Sequence, residues 1–165
     1  MKTLSIPIRY LPYHLSNRDK KKQINMLKRS RKLYTTNKYY TRKNVSSFHS
    51  HPSNHVLNAR KIYKMDSIYP TKELSNATGC SLSALRKIVS KGEGAYYSSG
   101  SRPNQTAQSW GIARLASSIT SGKSAAVDYA ILEKGCNHRG KAFMLAKKSR
   151  RKFGFGHSRT KKVHF

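Results

Sequence analysis

Acidic residues are scarce in this sequence, which has six Asp and Glu against 34 Lys and Arg and a formal net charge of +28. Such a chain repels itself unless anionic groups lie close to it, so the composition predicts a polyanion or an acidic protein surface as partner. The carboxylates are those of Asp19, Asp66, Glu73, Glu93, Asp128 and Glu133. Their spacing pairs no two of them in one site, and we therefore predict a protein that is not an enzyme and that uses no cofactor.

Cysteine is equally scarce, and long apolar runs are missing. Cys80 and Cys136 are too few for a disulfide framework, which is compatible with a reducing compartment and with Cys80 as a small buried residue. No apolar stretch approaches the ~20 residues of a membrane span, and Pro7, Arg9 and Pro12 interrupt the first one. These features predict a soluble or peripheral protein without a signal peptide.

Two possible ligand sites fail on spacing. The histidines and cysteines that could bind zinc do not form short-spaced pairs, so no metal site is predicted; they are His49, His51, His55, Cys80, Cys136 and His138. Gly122-Lys123-Ser124 resembles the end of a phosphate-binding loop, but Ser117 stands where that motif requires another glycine. We interpret this segment as the end of one helix followed by the cap of the next, with Ser124 as the cap.

Charge divides the chain into three ranges. Residues 1–65 have 16 basic residues and one acid, residues 66–135 have eight and five, and residues 136–165 have ten and none. This pattern is typical of a folded module with electrostatic extensions. The predicted fold is mainly α: a basic N-terminal arm with one or two helices over 1–65, a compact helical core over 66–135, and a basic C-terminal helix and tail over 136–165. Both arms are expected to be extended.

Capping residues and the spacing of apolar residues predict the helices. The helices are expected over about 17–34, 55–63, 71–77, 81–92, 106–121, 124–135 and 139–152. Ser16 with Asp19 and Thr71 mark helix starts, and Gly79, Gly92, Gly122 and Gly135 are interpreted as helix ends. The Gly/Ser/Asn-rich segment 94–106 is predicted to be a loop, and the residues after 152 are predicted to be an irregular tail.

Residues 71–91 have the layout of a helix-turn-helix. In that interpretation Ser81, Ser83, Arg86 and Lys87 would face the major groove of DNA. The alternative is an ordinary helical hairpin in which Gly79 only ends the first helix.

The strongest physical signal is the combination of cations and tyrosines in the two arms. Cations bind phosphates or carboxylates, and aromatic rings stack on bases or fill apolar sockets on a protein, so the sequence leaves both kinds of partner open. The arm residues expected to contact a partner are Lys20, Lys21, Lys22, Lys28, Arg29, Arg31, Lys32, Tyr34, Tyr39, Tyr40, Arg42, Lys43, Lys147, Lys148, Arg150, Arg151 and Lys152.

The sequence GAYYSSGSRPNQT at 94–106, followed by SWG, ARLASSIT and AAVDY, resembles an uncharacterised family from nucleocytoplasmic large DNA viruses of algae and amoebae. The resemblance covers most of residues 8–150 and carries over no catalytic residues. It implies a minor capsid protein that cements larger capsid subunits of an icosahedral particle, located in the virion and at the cytoplasmic assembly site of the host. The implied partners are the major capsid protein and other minor capsid proteins, with viral DNA or an acidic inner membrane surface as alternatives, and no small-molecule substrate is expected. The alternative function is DNA binding, either condensing the genome or reading sequence through residues 71–91.

Overall fold

The computed structural model describes residues 3–156 and 160–165, which are mostly helical. In chain order its elements are β1 Ser5–Pro7, a 3-10 turn Ile8–Tyr10, α1 Asn17–Tyr34, α2 Asn54–Tyr63, α3 Lys72–Thr78, α4 Leu82–Ser98, α5 Ala107–Ser118, α6 Lys123–Val127, α7 Tyr129–Gly135, α8 Lys141–Phe153 and β2 Lys162–His164. The predicted mainly α class is confirmed. The structure does not show the basic terminal segments as extended arms.

The described residues pack as two compact units, each made from separate parts of the chain. The first unit contains residues 3–51, 94–107 and 160–165, and the second contains residues 52–93 and 108–156. These units do not coincide with the three ranges that the charge pattern defines. The first unit has 15 basic residues against one acid within its described residues, whereas the second has 17 against five.

In the first unit, α1 begins where the sequence predicts. The Ser16 hydroxyl accepts a hydrogen bond of 3.1 Å from the backbone N–H of Asp19, which satisfies one of the free N–H groups at the helix start. The buried face of α1 includes Met26, which packs with Leu15 and Val45 in a small apolar cluster. This part of the N-terminal segment is therefore a folded element with its own core contacts.

The same unit contains a two-stranded sheet that the sequence analysis did not predict. Strand β1 pairs antiparallel with β2, and Ile6 lies opposite Val163. The prediction of an irregular tail after residue 152 is therefore wrong for 162–164, while 157–159 lie outside the described residues. Each strand has three residues, and pairing between the two ends of the chain leaves no local pattern for sequence analysis to detect.

In the second unit, helices α2 to α8 surround one apolar core. Its fully buried side chains include Leu74, Leu85, Ile88, Leu115 and Leu132. Leu85 and Ile88 are three residues apart in α4, so this helix turns one apolar face inward.

Tyr63, the last residue of α2, belongs to this core. Its ring is buried and its hydroxyl donates a hydrogen bond to the backbone carbonyl of Ile119. Burial raises the pKa of Tyr63 well above its ordinary value, because the phenolate would lie in an apolar environment.

The two cysteines form a disulfide that joins the α3–α4 turn to the segment between α7 and α8. Cys80 and Cys136 face each other in an isolated antiparallel bridge. The backbone N–H groups of Ser81 and Asn137 each donate a 2.7 Å hydrogen bond across this bridge. The burial expected for Cys80 is confirmed, but the pairing was not predicted, since 56 residues separate the partners.

Two glycines that the sequence analysis assigns to the end of a helix lie elsewhere. Helix α4 continues through Gly92 to Ser98, so the predicted loop over 94–106 is helical at 94–98. A Cβ built on Gly92 would lie 2.6 Å from the Cα of Gly111, so this glycine allows α4 and α5 to approach closely. Gly122 precedes α6 as its N-cap, and Ser124, predicted as the cap, is the second residue of that helix.

Candidate functional site

Helix α1 presents a basic face to solvent. Its exposed cations are Arg18, Lys21, Lys22, Lys28, Arg29 and Lys32, and Lys20 beside them is partly buried. The exposed cations lie in two rows, 18, 22 and 29 and 21, 28 and 32, with steps of four or seven residues, which places them on one side of a helix. We call the six exposed cations the α1 basic face; Arg18 is the member that the sequence analysis omitted. No carboxylate is exposed on this helix.

Asp19, the single acidic residue of α1, is not part of that face. Asp19 is buried, and its Oδ2 accepts hydrogen bonds from the Ser47 backbone N–H at 2.8 Å and the Ser47 hydroxyl at 2.5 Å. These two hydrogen bonds lower the pKa of Asp19 below its ordinary value because they favour the ionised carboxylate. The negative charge therefore anchors the segment after α1, and among the exposed cations Lys22 is the one whose charge also lowers the pKa of Asp19.

Three tyrosines form an aromatic ladder beside α1. The Tyr39 ring is 67% exposed and lies 6.2 Å from the Tyr34 ring and 5.1 Å from the Tyr97 ring, measured between centroids. Tyr40 is partly buried instead, and the guanidinium of Arg29 lies 4.6 Å above its ring. Of the three tyrosines predicted to contact a partner, Tyr34 and Tyr39 are available at the surface and Tyr40 supports the fold.

Arg42 is not available to a partner, although the sequence analysis places it among the contact residues. It is 6% exposed; its Nη1 donates hydrogen bonds of 2.9 Å to the Ser30 hydroxyl and the Tyr96 carbonyl, and its Nη2 donates one of 2.8 Å to the Ser101 hydroxyl. The guanidinium also lies 3.8 Å from the Tyr96 ring centroid. Burial lowers the pKa of Arg42, since none of the described carboxylates forms an ion pair with it.

Arg31 is also committed to the fold. Its Nε donates to the Ser99 carbonyl and its Nη1 to the Ser5 carbonyl, both at 2.9 Å. Together with Arg42, it explains what the GAYYSSGSRPNQT segment does in this unit: residues 96–101 supply carbonyl and hydroxyl acceptors for two arginines. Lys43, in contrast, is exposed.

The predicted helix-turn-helix residues lie on the α3–α4 pair. Ser83, Arg86 and Lys87 are exposed on one side of α4. Ser81 precedes the helix, and its hydroxyl accepts a 3.1 Å hydrogen bond from the backbone N–H of Ala84. The first three are accessible to a ligand, and Ser81 acts as a helix cap.

The cations of α8 lie at the other end of the sequence. Lys148, Arg151 and Lys152 are exposed, whereas Lys147 and Arg150 are partly buried against aromatic rings. The guanidinium of Arg150 lies 4.7 Å from the Tyr129 ring and 4.3 Å from the Phe155 ring. These side chains form a second basic patch, smaller than the α1 basic face and partly occupied by cation–π contacts.

A cavity in the second unit brings together residues that the sequence analysis did not connect. Its volume is about 530 Å³, and it lies between α2, the α5–α6 connection and the end of α8. The residues lining it are His55, Asn58, Lys61, Ile62, Thr120, Ser121, Gly122, Lys123 and Phe153. The Lys123 side chain belongs to the segment that resembles part of a phosphate-binding loop, and that was the only sequence signal pointing here.

Asp128 is a buried carboxylate whose contacts stabilise the fold. It accepts hydrogen bonds from Arg114 Nη2 at 2.7 Å, Arg114 Nε at 2.9 Å and the Ser118 hydroxyl at 2.9 Å. Within residues 3–156 and 160–165, no three His, Cys, Asp or Glu side chains cluster as metal ligands. Among the helices of the same residues, none combines the length and apolar character needed to cross a membrane.

Comparison with known proteins identifies the family. Searches of curated proteins and of solved structures find no match. A family model described as a family of unknown function, DUF5824, matches residues 7–134. The match covers α1, the aromatic ladder, most of the cavity lining and Cys80. Cys136, α8 and β2 lie beyond it. Because the match spans more than half of the sequence, the chain belongs to the DUF5824 family of unknown function.

Proposed function

We propose that the protein binds double-stranded nucleic acid through the α1 basic face. The observation that carries this proposal is the segregation of charge on α1: six exposed cations on a helix whose single acid, Asp19, is buried. A phosphate backbone that contacts this face meets no opposing carboxylate from the helix itself. Binding of this kind is driven by release of the counterions that surround the phosphates.

The dimensions of the face suit a duplex. From Arg18 to Lys32 the helix rises about 21 Å, at 1.5 Å per residue. Double-stranded DNA carries one negative charge for about every 1.7 Å of its axis, and its major groove, about 12 Å wide, admits a helix. Lysine and arginine contacts to phosphates carry no sequence information, so we expect binding that depends on salt and little on sequence.

The test is the salt dependence of binding to a duplex of mixed sequence. Replacing Lys21, Lys28 and Lys32 by Gln removes three cations of the α1 basic face without removing buried contacts. We expect the slope of log K against log salt to become shallower by about 2 to 3, because each phosphate contact contributes about 0.9. Fluorescence anisotropy with a labelled duplex at several salt concentrations measures this slope.

A matched variant separates a defined surface from diffuse attraction to a basic protein. Lys64→Gln, Lys72→Gln and Lys134→Gln remove the same charge from exposed positions of the second unit. This control should leave the slope within about 1 of the unmodified protein. An equal loss in both triple variants would contradict the proposal, because only total charge would then matter.

The alternative DNA-binding surface is the exposed side of α4. If the protein prefers one sequence over another, and Arg86→Ala with Lys87→Ala abolishes that preference, residues 71–91 read DNA as a helix-turn-helix. Equal binding of the unmodified protein to all sequences would argue against the helix-turn-helix interpretation.

The exposed tyrosines of the aromatic ladder favour a second function. In it the protein is a structural virion protein, namely a minor capsid protein that contacts larger capsid subunits. Tyrosine is among the residue types that dominate protein interfaces, and Tyr34 and Tyr39 are exposed. Replacing Tyr34 and Tyr39 by Ser, with Tyr40 kept for its packing role, should abolish incorporation into particles and leave duplex affinity unchanged. Quantifying the protein in purified particles measures incorporation, and normal incorporation of the variant would contradict this role.

A further inference from the structure

The cavity of the second unit is built for an anion. Three of the side chains lining it are basic types, namely His55, Lys61 and Lys123, and among the described residues no carboxylate lines it. His55 and Lys61 come from α2, and Lys123 comes from the start of α6. A negative group bound in this cavity would interact favourably with the two lysine ammonium groups.

The remaining lining adds hydrogen-bonding groups and an apolar surface. Asn58 and Ser121 are exposed polar side chains, and Ile62 and Phe153 are partly buried apolar side chains. The Thr120 hydroxyl donates inward to the Ala116 carbonyl at 2.9 Å, so its oxygen can still accept a hydrogen bond. The cavity therefore combines a cationic part with an aromatic part.

Backbone contacts fix the wall that carries Lys123. The Ser149 hydroxyl donates a 2.7 Å hydrogen bond to the Gly122 carbonyl, and the Ser124 N–H donates one of 3.2 Å to the Ser117 hydroxyl. This connection is thus tied to both α8 and α5 before any ligand arrives. Such preorganisation reduces the entropy cost of binding.

We propose that this cavity binds a nucleoside monophosphate group, with the phosphate between Lys61 and Lys123 and the base against Phe153. The volume of about 530 Å³ lies within the ~300–1,000 Å³ of small-molecule sites. A lysine ammonium binds phosphate as a point charge, and an aromatic ring is a surface on which any base can stack. The group has two sources, a free nucleotide or the 5′-phosphorylated end of a nucleic acid. This site is separate from the α1 basic face, and neither proposal depends on the other.

The experiment is equilibrium dialysis of the full chain with labelled AMP at about 150 mM salt, where exposed charges are screened beyond about 8 Å. We expect one saturable site per chain, with adenosine bound far more weakly. Replacing Lys61 and Lys123 by Gln should weaken AMP binding about 100-fold, since two charge-assisted contacts are lost. Phe153→Leu should weaken AMP binding while leaving competition by inorganic phosphate unchanged.

The matched control removes the same charge from the same unit outside the cavity. Lys64→Gln with Lys134→Gln should change AMP affinity less than about threefold at this salt concentration. Equal weakening in both double variants, or binding that does not saturate at one site, would overturn the proposal. Thermal unfolding of each variant shows whether lost binding reflects lost folding; if the double variant unfolds, Phe153→Leu and the adenosine comparison still decide.

A competition arm distinguishes the two sources of the phosphate. A short oligonucleotide with a 5′-phosphate and the same oligonucleotide with a 5′-hydroxyl are each tested against labelled AMP. Stronger competition by the phosphorylated form identifies a nucleic-acid end as ligand, and equal weak competition identifies the free nucleotide. Either result is consistent with the proposed site, whereas displacement of AMP by the 5′-hydroxyl form as effectively as by unlabelled AMP would contradict it.

Discussion

Asp19 shows what one carboxylate does in a chain with six acids. Hydrogen bonds from Ser47 hold its pKa in the folded protein below the ~3.9 of an unfolded chain. The unfolded state therefore takes up this proton at a higher pH than the folded state does. Asp19 thus contributes stability that is complete above about pH 4 and is lost as the pH falls through the lower pKa of the folded protein.

The corresponding prediction uses Asp19→Asn. We expect the variant to unfold at a lower urea concentration than the unmodified protein between pH 5 and 7, with a difference that shrinks below about pH 4. Urea unfolding at a series of pH values measures this difference. A difference that stays constant down to pH 2 would show that the ionised carboxylate is not what Ser47 stabilises.

For single residues, sequence analysis identified contacts between neighbours in the sequence and missed contacts between residues that are far apart in it. Ser16 and Asp19 mark the start of α1, and the cap is present. Nothing local shows that the Asp19 side chain binds Ser47, 28 positions away, or that Arg42 is buried against Tyr96, 54 positions away. A run of basic residues looks uniform in sequence, although Arg31 and Arg42 hold the fold together and their neighbours face solvent.

At the scale of elements, α4 contains a matched pair of glycines. A Cβ on Gly92 would lie 2.6 Å from the Cα of Gly111, while a Cβ on Gly94 would have nothing within 4 Å. Both positions gain about 1 kcal/mol of helix propensity on replacement by Ala. At Gly92 the steric cost of overpacking, typically about 1–3 kcal/mol, acts against this gain.

We therefore predict opposite signs for the two replacements. Gly94→Ala should raise the free energy of unfolding by about 0.5–1 kcal/mol, and Gly92→Ala should lower it by about 1–2 kcal/mol. Urea denaturation followed by circular dichroism measures both, and each variant is the control for the other. Stabilisation by Gly92→Ala would mean that α4 and α5 do not approach each other this closely.

These glycines also explain why helix ends were predicted unevenly. Where a glycine follows a capped helix in a left-handed conformation, as at Gly79 with φ of 78°, the prediction is confirmed. Gly92 has the same local signature but serves a contact with α5, which no local pattern specifies. The helices predicted over 17–34, 55–63 and 139–152 agree with α1, α2 and α8 within one or two residues because their apolar faces recur at helical spacing.

At the scale of the whole molecule, the charge pattern describes the excess of basic residues correctly but does not show which segments of the chain pack together. The excess of basic residues is real in both units, but residues 94–107 pack with residues 3–51, and 160–165 join them through the β1–β2 pair. A division by charge follows the linear sequence, whereas packing joins segments that are far apart in it. Discontinuous units of this kind require long-range pairing that composition does not encode.

The disulfide is the covalent form of such pairing, and it yields a prediction for the second unit. In the chain-entropy account, a bond between residues 56 positions apart removes about 4 kcal/mol of conformational freedom from the unfolded chain, a large share of the ~5–15 kcal/mol that stabilises typical domains. Reduction, or replacement of Cys80 and Cys136 by Ala, should therefore lower the free energy of unfolding by about 2–4 kcal/mol. Fluorescence of Trp110, the single tryptophan, reports unfolding of this unit in urea with and without reductant. Thiol titration of the denatured protein should find no free thiol before reduction and two after it. Two free thiols beforehand, with the same urea midpoint in both conditions, would show that Cys80 and Cys136 pack together without a covalent bond.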